Sequence, residues 1–175
     1  MVVPYSPQSS AFNRIFKIGG TMNINKTILL VEDNPQDEKL MLRALRKVNL
    51  ANQVDVVRDG QQAIDYLFRE GEFADRVGDD SPAVVLLDIG LPRVSGLDVL
   101  KRLRNDPRTH LQPVVILTSS DEERDRMASY EDGANSFVRK PLDFTEFAET
   151  AARLGIYWMA VNKPPQELIH NVRTA

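Results

Sequence analysis

The run AVVLLD at residues 83–88 points most directly to the fold of this chain. It is an unbroken apolar run that ends in one carboxylate, and Ser81-Pro82 and Gly90-Leu91-Pro92 flank it. An apolar run of this length between turn-forming residues predicts a strand that is buried on both faces. Asp88 then ends the strand at the edge where open parallel sheets hold their ligands. Taken alone, Asp88 fits the start of a turn equally well, so its function depends on the side chains that the fold brings to it.

The composition indicates a folded globular domain. The chain has 175 residues, of which 42% are hydrophobic and 27% charged, and this suits one domain of common size. A formal net charge of −3 and the lack of a Lys/Arg tract argue against nucleic-acid binding. The chain has no cysteine, no apolar run near the roughly 18 residues of a membrane span, and no secretory signal pattern. We therefore expect a cytoplasmic protein with no nucleic-acid or membrane partner.

Five apolar runs alternate with helical patterns along the chain. The predicted strands are Thr27–Val31, Val54–Val57, the 83–88 run, Pro113–Leu117 and Ser136–Arg139. The predicted helices begin at Asn34-Pro35, Asp59-Gly60, Ser95, about Asp121, and Asp143, and the last is expected to stop at Pro164-Pro165. Strands that alternate with helices predict an α/β fold, a doubly wound five-stranded parallel sheet with helices on both faces.

Three segments outside the regular pattern complete the predicted organisation. Residues 1–25 are expected to be a flexible arm, 26–163 the folded domain, and 164–175 a tail. An alternative for residues 1–21 is an extension that precedes a natural start at Met22. The polar segment from Glu70 to Pro82 is expected to be a long surface loop.

Polar side chains stand where the predicted strands end. Glu32 and Asp33 follow the first strand, Asp88 the third, Thr118 the fourth and Lys140 the fifth. Three carboxylates this close would repel one another, and Mg²⁺ would relieve the repulsion. The ammonium and the hydroxyl would suit an incoming phosphoryl oxygen. The pattern therefore predicts attack by the Asp88 carboxylate on a phosphoryl group.

These residues carry a resemblance to the receiver domain of two-component response regulators, over roughly residues 26–160. The matching motifs are Val31-Glu32-Asp33-Asn34, Leu87-Asp88, Leu91-Pro92 with Gly96, Thr118-Ser119 and Lys140-Pro141. The Glu70–Pro82 loop and Ile156-Tyr157-Trp158 are similar to single-domain regulators that serve phytochrome-type histidine kinases. The resemblance implies a flavodoxin-like sheet with strand order 2-1-3-4-5.

The resemblance also implies a phosphoacceptor and a metal site. Asp88 would accept a phosphoryl group from a sensor histidine kinase. Asp33 and Asp88 would bind Mg²⁺ directly, Glu32 would bind it through water, and the Gly90 carbonyl would complete the protein ligands.

A two-state readout is implied as well. Thr118 would bond a phosphoryl oxygen and shift on activation, and Phe137 would be the coupled aromatic residue. Lys140 would contact the phosphoryl group, and the Lys140-Pro141 bond would be cis. Gly90 and Ser120 occupy the positions that tune the phosphoryl lifetime in this family.

Two other functions remain open at this point. A metal-dependent phosphatase could also use an aspartyl nucleophile, although those folds usually place a second Asp two positions on, where this chain has Gly90. A protein-binding scaffold that is never phosphorylated would bind no Mg²⁺. We expect a phosphorylatable switch with at most weak self-dephosphorylation, not an enzyme with turnover.

The last predicted helix carries more apolar residues than one core-facing stripe needs. The stripe expected to cover the sheet is Phe144, Phe147, Ala151, Leu154 and Trp158. Residues expected to point elsewhere are Ile156, Tyr157, Met159 and Val161. This predicts a homodimer through the fourth helix, the fifth strand and the last helix, with Ile156, Tyr157 and Met159 in the interface. The alternative is that the arm or the tail packs on this surface.

Overall fold

The structure, a computed structural model, describes residues 27–47, 54–76, 81–119 and 122–163. The predicted arm at 1–25 and the predicted tail at 164–175 lie outside these ranges, and so does Ser120. The flexible arm, the tail and the domain bounds that depend on them therefore stay predictions.

Five parallel strands form one sheet in the order β2-β1-β3-β4-β5. They are β1 (Ile28–Val31), β2 (Val54–Val57), β3 (Val84–Asp88), β4 (Val114–Thr118) and β5 (Ser136–Arg139). The central strand β3 pairs with β1 and β4, and its register places Leu87 beside Val31 and Asp88 beside Leu117. The predicted sheet and strand order are confirmed. All five carboxyl ends therefore meet at one edge.

Helices connect the strands and cover both faces of the sheet. They are α1 (Pro35–Lys47), α2 (Gly60–Phe68), α3 (Gly96–Arg104), α4 (Glu123–Glu131) and α5 (Phe144–Ile156). The helices α1 and α5 pack against each other on one face, while α2, α3 and α4 follow one another on the other. This is the doubly wound arrangement that the alternating pattern predicted.

The two cores follow from the alternation of side chains along buried strands. Leu29 and Val31 point into the core beneath α2 and α3, whereas Ile28 and Leu30 point into the core beneath α1 and α5. Every residue of β1, β3 and β4 is buried. Each such aliphatic side chain contributes about 1.5–3 kcal/mol through burial, and this fixes the strand ends in place.

Side-chain caps set where four of the helices begin. Asn34, Asp59, Ser95 and Asp143 each accept hydrogen bonds from amides two or three residues further on. A cap of this kind is worth about 1 kcal/mol. Because Asn34, Asp59 and Asp143 stand two to four residues after strand ends, these caps also fix the loops around the carboxyl edge.

The last helix departs from its prediction in two ways. Phe144, expected on the core stripe, is the first residue of α5 and is 66% exposed, whereas Phe147 is buried. The α-helix ends at Ile156, and a π turn, Tyr157–Val161, carries the helical segment on to three residues before Pro164. The wider turn changes the rotation per residue, so Met159 packs against the core instead of pointing away from it.

The described first half of the predicted surface loop contains a short helical turn. A 3₁₀ turn at Gly71–Phe73 brings the Phe73 ring edge-on to Tyr66, with centroids 5.2 Å apart. The Arg76 guanidinium lies 3.9 Å from the centroid of the same tyrosine. This segment therefore packs back on α2, and residues 77–80 are outside the described ranges.

The Lys140–Pro141 bond is trans, since none of the described peptide bonds is cis. The expectation of a cis bond is wrong for this structure, in keeping with the intrinsic trans preference of X–Pro bonds. Within the described ranges, no helix is both long and apolar enough to cross a membrane.

Candidate functional site

The ammonium of Lys140 joins the strand ends of β1, β3 and β5. Its Nζ lies 2.6 Å from Asp88 Oδ2 and 2.6 Å from Glu32 Oε2. Lys140 and Glu32 are almost wholly buried, at 6% and 2% exposure, and Asp88 is 9% exposed. The strands end side by side at one edge, so side chains 52 and 108 positions from Lys140 meet it there. The structure thus brings together these three sequence-predicted residues.

A fourth charged group at this edge was missed by the sequence reasoning. Asp37 Oδ2 lies 3.1 Å from Lys140 Nζ. Asp37 is in the first turn of α1, where an acidic residue is expected simply because it favours the positive end of the helix dipole. Its chain position gave no sign that the side chain turns toward β5.

The local charge is unbalanced. Lys140 is in contact with three carboxylates, those of Glu32, Asp37 and Asp88. Burial raises the pKa of the Glu32 carboxyl; its bonds to Lys140 oppose this, and the Asp88 charge adds to it. Burial would lower the pKa of Lys140, but Asp88 and Glu32 outweigh it and raise that pKa. Lys140 is therefore a permanent cation in a site with excess negative charge.

Three carboxylates are close enough to share a metal ion. One oxygen from each of Glu32, Asp33 and Asp88 lies within 4.8 Å of the others. Asp33 is exposed, while the other two are buried. All-oxygen carboxylate ligands with one side open to water suit Mg²⁺ or Mn²⁺. The donor set therefore fits a hard divalent cation.

The loop after β3 is held close to the sheet edge. The Gly90 amide donates to Asp88 Oδ1 at 3.2 Å, so both oxygens of the Asp88 carboxylate have partners. A Cβ built on Gly96 would lie 2.0 Å from the Asp88 carbonyl oxygen, which means that only glycine fits there. A Cβ on Gly90 would meet nothing within 4 Å. Gly96 therefore lets α3 begin directly against the strand end that carries Asp88.

The same loop is tied to the start of α2. Arg93, which has a positive φ of 66°, pairs with the Asp59 carboxylate that caps α2. Gly60 permits the close contact, because a Cβ there would lie 2.0 Å from the Val94 carbonyl oxygen. These contacts fix the loop that carries Gly90, the predicted carbonyl ligand.

Thr118 and Phe137 are placed by neighbouring strands. Thr118 ends β4 and is 3% exposed, and its carbonyl accepts from the Lys140 amide at 2.7 Å. Phe137 pairs with Ile116 in the sheet register and packs, partly buried, against the core beneath α2 and α3. The backbone thus connects the predicted switch pair to Lys140.

The predicted dimer surface differs from the rest of the described chain. In the described part of the chain, every large hydrophobic side chain with high exposure lies in the segment that runs from α4 to the end of the π turn. They are Met127, Tyr130, Leu142, Phe144, Tyr157 and Val161. Of the predicted interface residues, Tyr157 is 49% exposed, whereas Ile156 and Met159 are partly buried.

The family model described as response regulator receiver domain matches residues 28–152. The chain belongs to this family. The match spans all five strands and most of α5.

Two curated relatives match over most of their own length. The probable methanogenesis regulatory protein FilR2 of Methanothrix harundinacea is 37% identical over 139 residues, 79% of this chain and 86% of FilR2. The response regulator Rcp1 of Synechocystis is 31% identical over 137 residues, 78% of this chain and 91% of Rcp1. Rcp1 also has a crystal structure of its Mn²⁺-bound form.

Two solved structures of phytochrome response regulators are similar to this chain. The phosphorylated cyanobacterial phytochrome response regulator RcpA has a TM-score of 0.75 at 33% identity and covers 81% of this chain and 99% of its own. The bacteriophytochrome response regulator AtBRR has a TM-score of 0.63 at 50% identity and covers 79% of this chain and 98% of its own. The chain therefore resembles phytochrome-associated receiver domains in both sequence and fold.

Proposed function

We propose that this receiver domain is a signalling switch that accepts a phosphoryl group on Asp88. The observation that carries the proposal is the buried contact of Lys140 Nζ with Asp88 Oδ2 at 2.6 Å, at a sheet edge shared with Glu32 and Asp33. A buried ammonium fixed beside a carboxylate nucleophile is suited to stabilise charge on a phosphoryl oxygen.

The transfer would need few protein groups. An Asp88 oxygen attacks the phosphorus of a kinase phosphohistidine, a P–O bond forms, the P–N bond breaks, and the electron pair returns to the imidazole nitrogen, which takes up a proton. Lys140 turns part of its hydrogen bonding from the carboxylate to a phosphoryl oxygen. Thr118, at the adjacent strand end, would bind a second one.

A divalent cation belongs to this proposal. Asp33 and Asp88 would hold Mg²⁺ directly, Glu32 through water, and the Gly90 carbonyl would complete the set. When bound, the cation supplies positive charge that offsets the phosphoryl oxygens. The carboxylate cluster and the Mn²⁺-bound form of Rcp1 support this assignment.

The proposed donor is a sensor histidine kinase of the phytochrome type. Support comes from the names of RcpA, a phytochrome response regulator, and of AtBRR, a bacteriophytochrome response regulator. FilR2 is named for the regulation of methanogenesis, so similar receiver domains are associated with different signals. We propose that the chain is not an enzyme with turnover and that it dephosphorylates itself at most weakly.

We further propose that two copies associate through α4, β5 and α5. The six exposed hydrophobic residues between Met127 and Val161 support this, because a small domain rarely leaves such a group of side chains open to water. Phe137 lies in β5, so phosphorylation at Asp88 would reach this surface through the switch pair.

Labelling with a small donor tests the proposal. Acetyl phosphate with Mg²⁺ should give an acid-stable, base-labile acyl phosphate on the wild type, and EDTA should prevent it. Asp88→Asn should remove the label, and Asp75→Asn, which changes an exposed carboxylate in the turn after Phe73, should keep it. Equal labelling of Asp88→Asn and wild type would overturn the assignment, and turnover of a phosphomonoester would favour the phosphatase alternative.

A further inference from the structure

Asp37 is the one carboxylate on Lys140 that the proposed chemistry does not use. Lys140 Nζ has three N–H donors, and its three carboxylate partners are Glu32, Asp88 and Asp37. Glu32 and Asp88 belong to the proposed metal and phosphoryl site. Asp37 lies outside the group of carboxylates close enough to share a metal ion.

The position of Asp37 differs from that of the other two partners. Its side chain is 29% exposed, against 2% for Glu32 and 12% for Asp88, so it stands at the rim of the site. It comes from α1, a helix that contributes no other side chain to Lys140 in the described part of the chain. Asp37 therefore contacts the ammonium from the solvent side.

From this geometry we infer that Asp37 is a positioning residue that restrains Lys140 and slows phosphorylation of Asp88. The inference rests on the proposed phosphoacceptor function and adds a residue that regulates its rate. Lys140 has to give one hydrogen bond to a phosphoryl oxygen, and a third carboxylate competes with that oxygen for the ammonium. The same negative charge also opposes the approach of an anionic phosphoryl group.

The decisive variant is Asp37→Asn, which keeps the size of the side chain and removes its charge. The initial rate of labelling by acetyl phosphate should rise by roughly threefold to tenfold, since the site is partly screened by solvent. Asp37→Glu, which keeps the negative charge, should be labelled at about the wild-type rate. The matched control is Glu38→Gln, the same loss of charge one residue further along α1, where the side chain pairs with Arg58 at 2.9 Å.

A double-mutant cycle separates this role from a structural one. In a Lys140→Met background, the gain from Asp37→Asn should be clearly smaller than in the wild-type background, because the restrained group is gone and only the repulsion between Asp37 and the phosphoryl donor is relieved. An undiminished gain in that background would show that Asp37 acts only through its charge and not through Lys140, and would overturn the inference.

The outcomes also separate this inference from the proposed function. If the wild type takes no label with Mg²⁺, the phosphoacceptor function itself fails. If the wild type is labelled and Asp37→Asn behaves like Glu38→Gln, only the role of Asp37 fails. Loss of label and of calorimetric Mg²⁺ binding in Asp37→Asn would make this residue a metal ligand instead, which also overturns the inference.

Discussion

Lys140 and Asp88 are 52 positions apart in the chain, and their Nζ and Oδ2 atoms are 2.6 Å apart in the fold. The contact needs β3 and β5 to end at the same edge, with β4 between them. Lys140 is in contact with three carboxylates, so its single positive charge leaves the site incompletely neutralised.

A divalent cation should stabilise the folded domain. Because the three metal-facing carboxylates converge only in the native state, Mg²⁺ at tenfold above its dissociation constant should add about 1.4 kcal/mol to the free energy of unfolding. Urea denaturation with and without MgCl₂ measures this. Asp33→Asn should lose most of the gain, and an equal gain in both proteins would contradict the assignment of Asp33.

Gly96 should tolerate no side chain. A Cβ there meets the backbone of Asp88 and Ile89, so Gly96→Ala has to push α3 away from β3. We expect a loss of about 2 kcal/mol or more in unfolding free energy, together with slower labelling. Gly90→Ala is the control, since its Cβ meets open space; it should change stability by less than about 0.5 kcal/mol. Equal losses in the two variants would refute the packing argument.

The Arg93–Asp59 pair gives a stability term that depends on pH. Burial alone would raise the pKa of Asp59, but the hydrogen bond and charge of Arg93, together with the amides of Gln61 and Gln62, outweigh it and lower that pKa below 3.8. The stabilisation is therefore complete above pH 3.8, the ordinary value, and is lost as the pH falls through the lower folded-state pKa.

Arg93→Ala should consequently reduce unfolding free energy at pH 7 by less than about 1 kcal/mol, because the arginine is 57% exposed. The difference from wild type should shrink below pH 3.8, and Arg93→Lys should retain part of it. Urea denaturation at pH 7, 5, 4 and 3 follows the trend. A difference that stays constant with pH would mean that Arg93 acts through the backbone, not through Asp59.

Thr118 and Phe137 should couple phosphorylation to the surface. A phosphoryl group on Asp88 should draw the Thr118 hydroxyl inward and leave space for the aromatic ring, which biases a two-state element. Thr118→Ala should still be labelled, yet the change in amide hydrogen exchange of β5 and α4 on labelling should weaken about fivefold, the worth of one hydrogen bond. Thr118→Ser should behave like wild type. A full response in Thr118→Ala would exclude the coupling.

Much of the site was predictable because its residues end buried strands. An apolar run that stops at Asp88 or at Thr118 reports both the strand and the edge, since parallel strands end together. Asp37 was missed because a helix residue reaches the site only through the direction in which its side chain turns. Met159 was placed on the wrong face because a π turn breaks the regular rotation that the helical pattern assumes.

The surface between α4 and the π turn should carry self-association. Tyr157 stands edge-on against Trp158, with ring centroids 5.2 Å apart, so its ring is held in place while half of it faces water. An aromatic residue fixed in this way is well suited to an interface, because little side-chain freedom is lost on binding. Met127 and Tyr130 of α4 are also exposed, and α4 packs against β5. A stable dimer needs about 800 Å² from each copy, which requires all three elements and not the π turn alone.

Sedimentation of the wild type and of an Ile156→Glu, Tyr157→Glu variant, with and without acetyl phosphate, measures this association. The wild type should dimerise, more strongly when phosphorylated, and the variant should dissociate at least tenfold more readily because two charges would be buried without partners. Ala74→Glu with Asn105→Glu adds the same charge at exposed positions outside α4, β5 and α5, and should leave the dimer intact. A wild type that stays monomeric at high micromolar concentration in both states would show that these exposed residues serve a different protein.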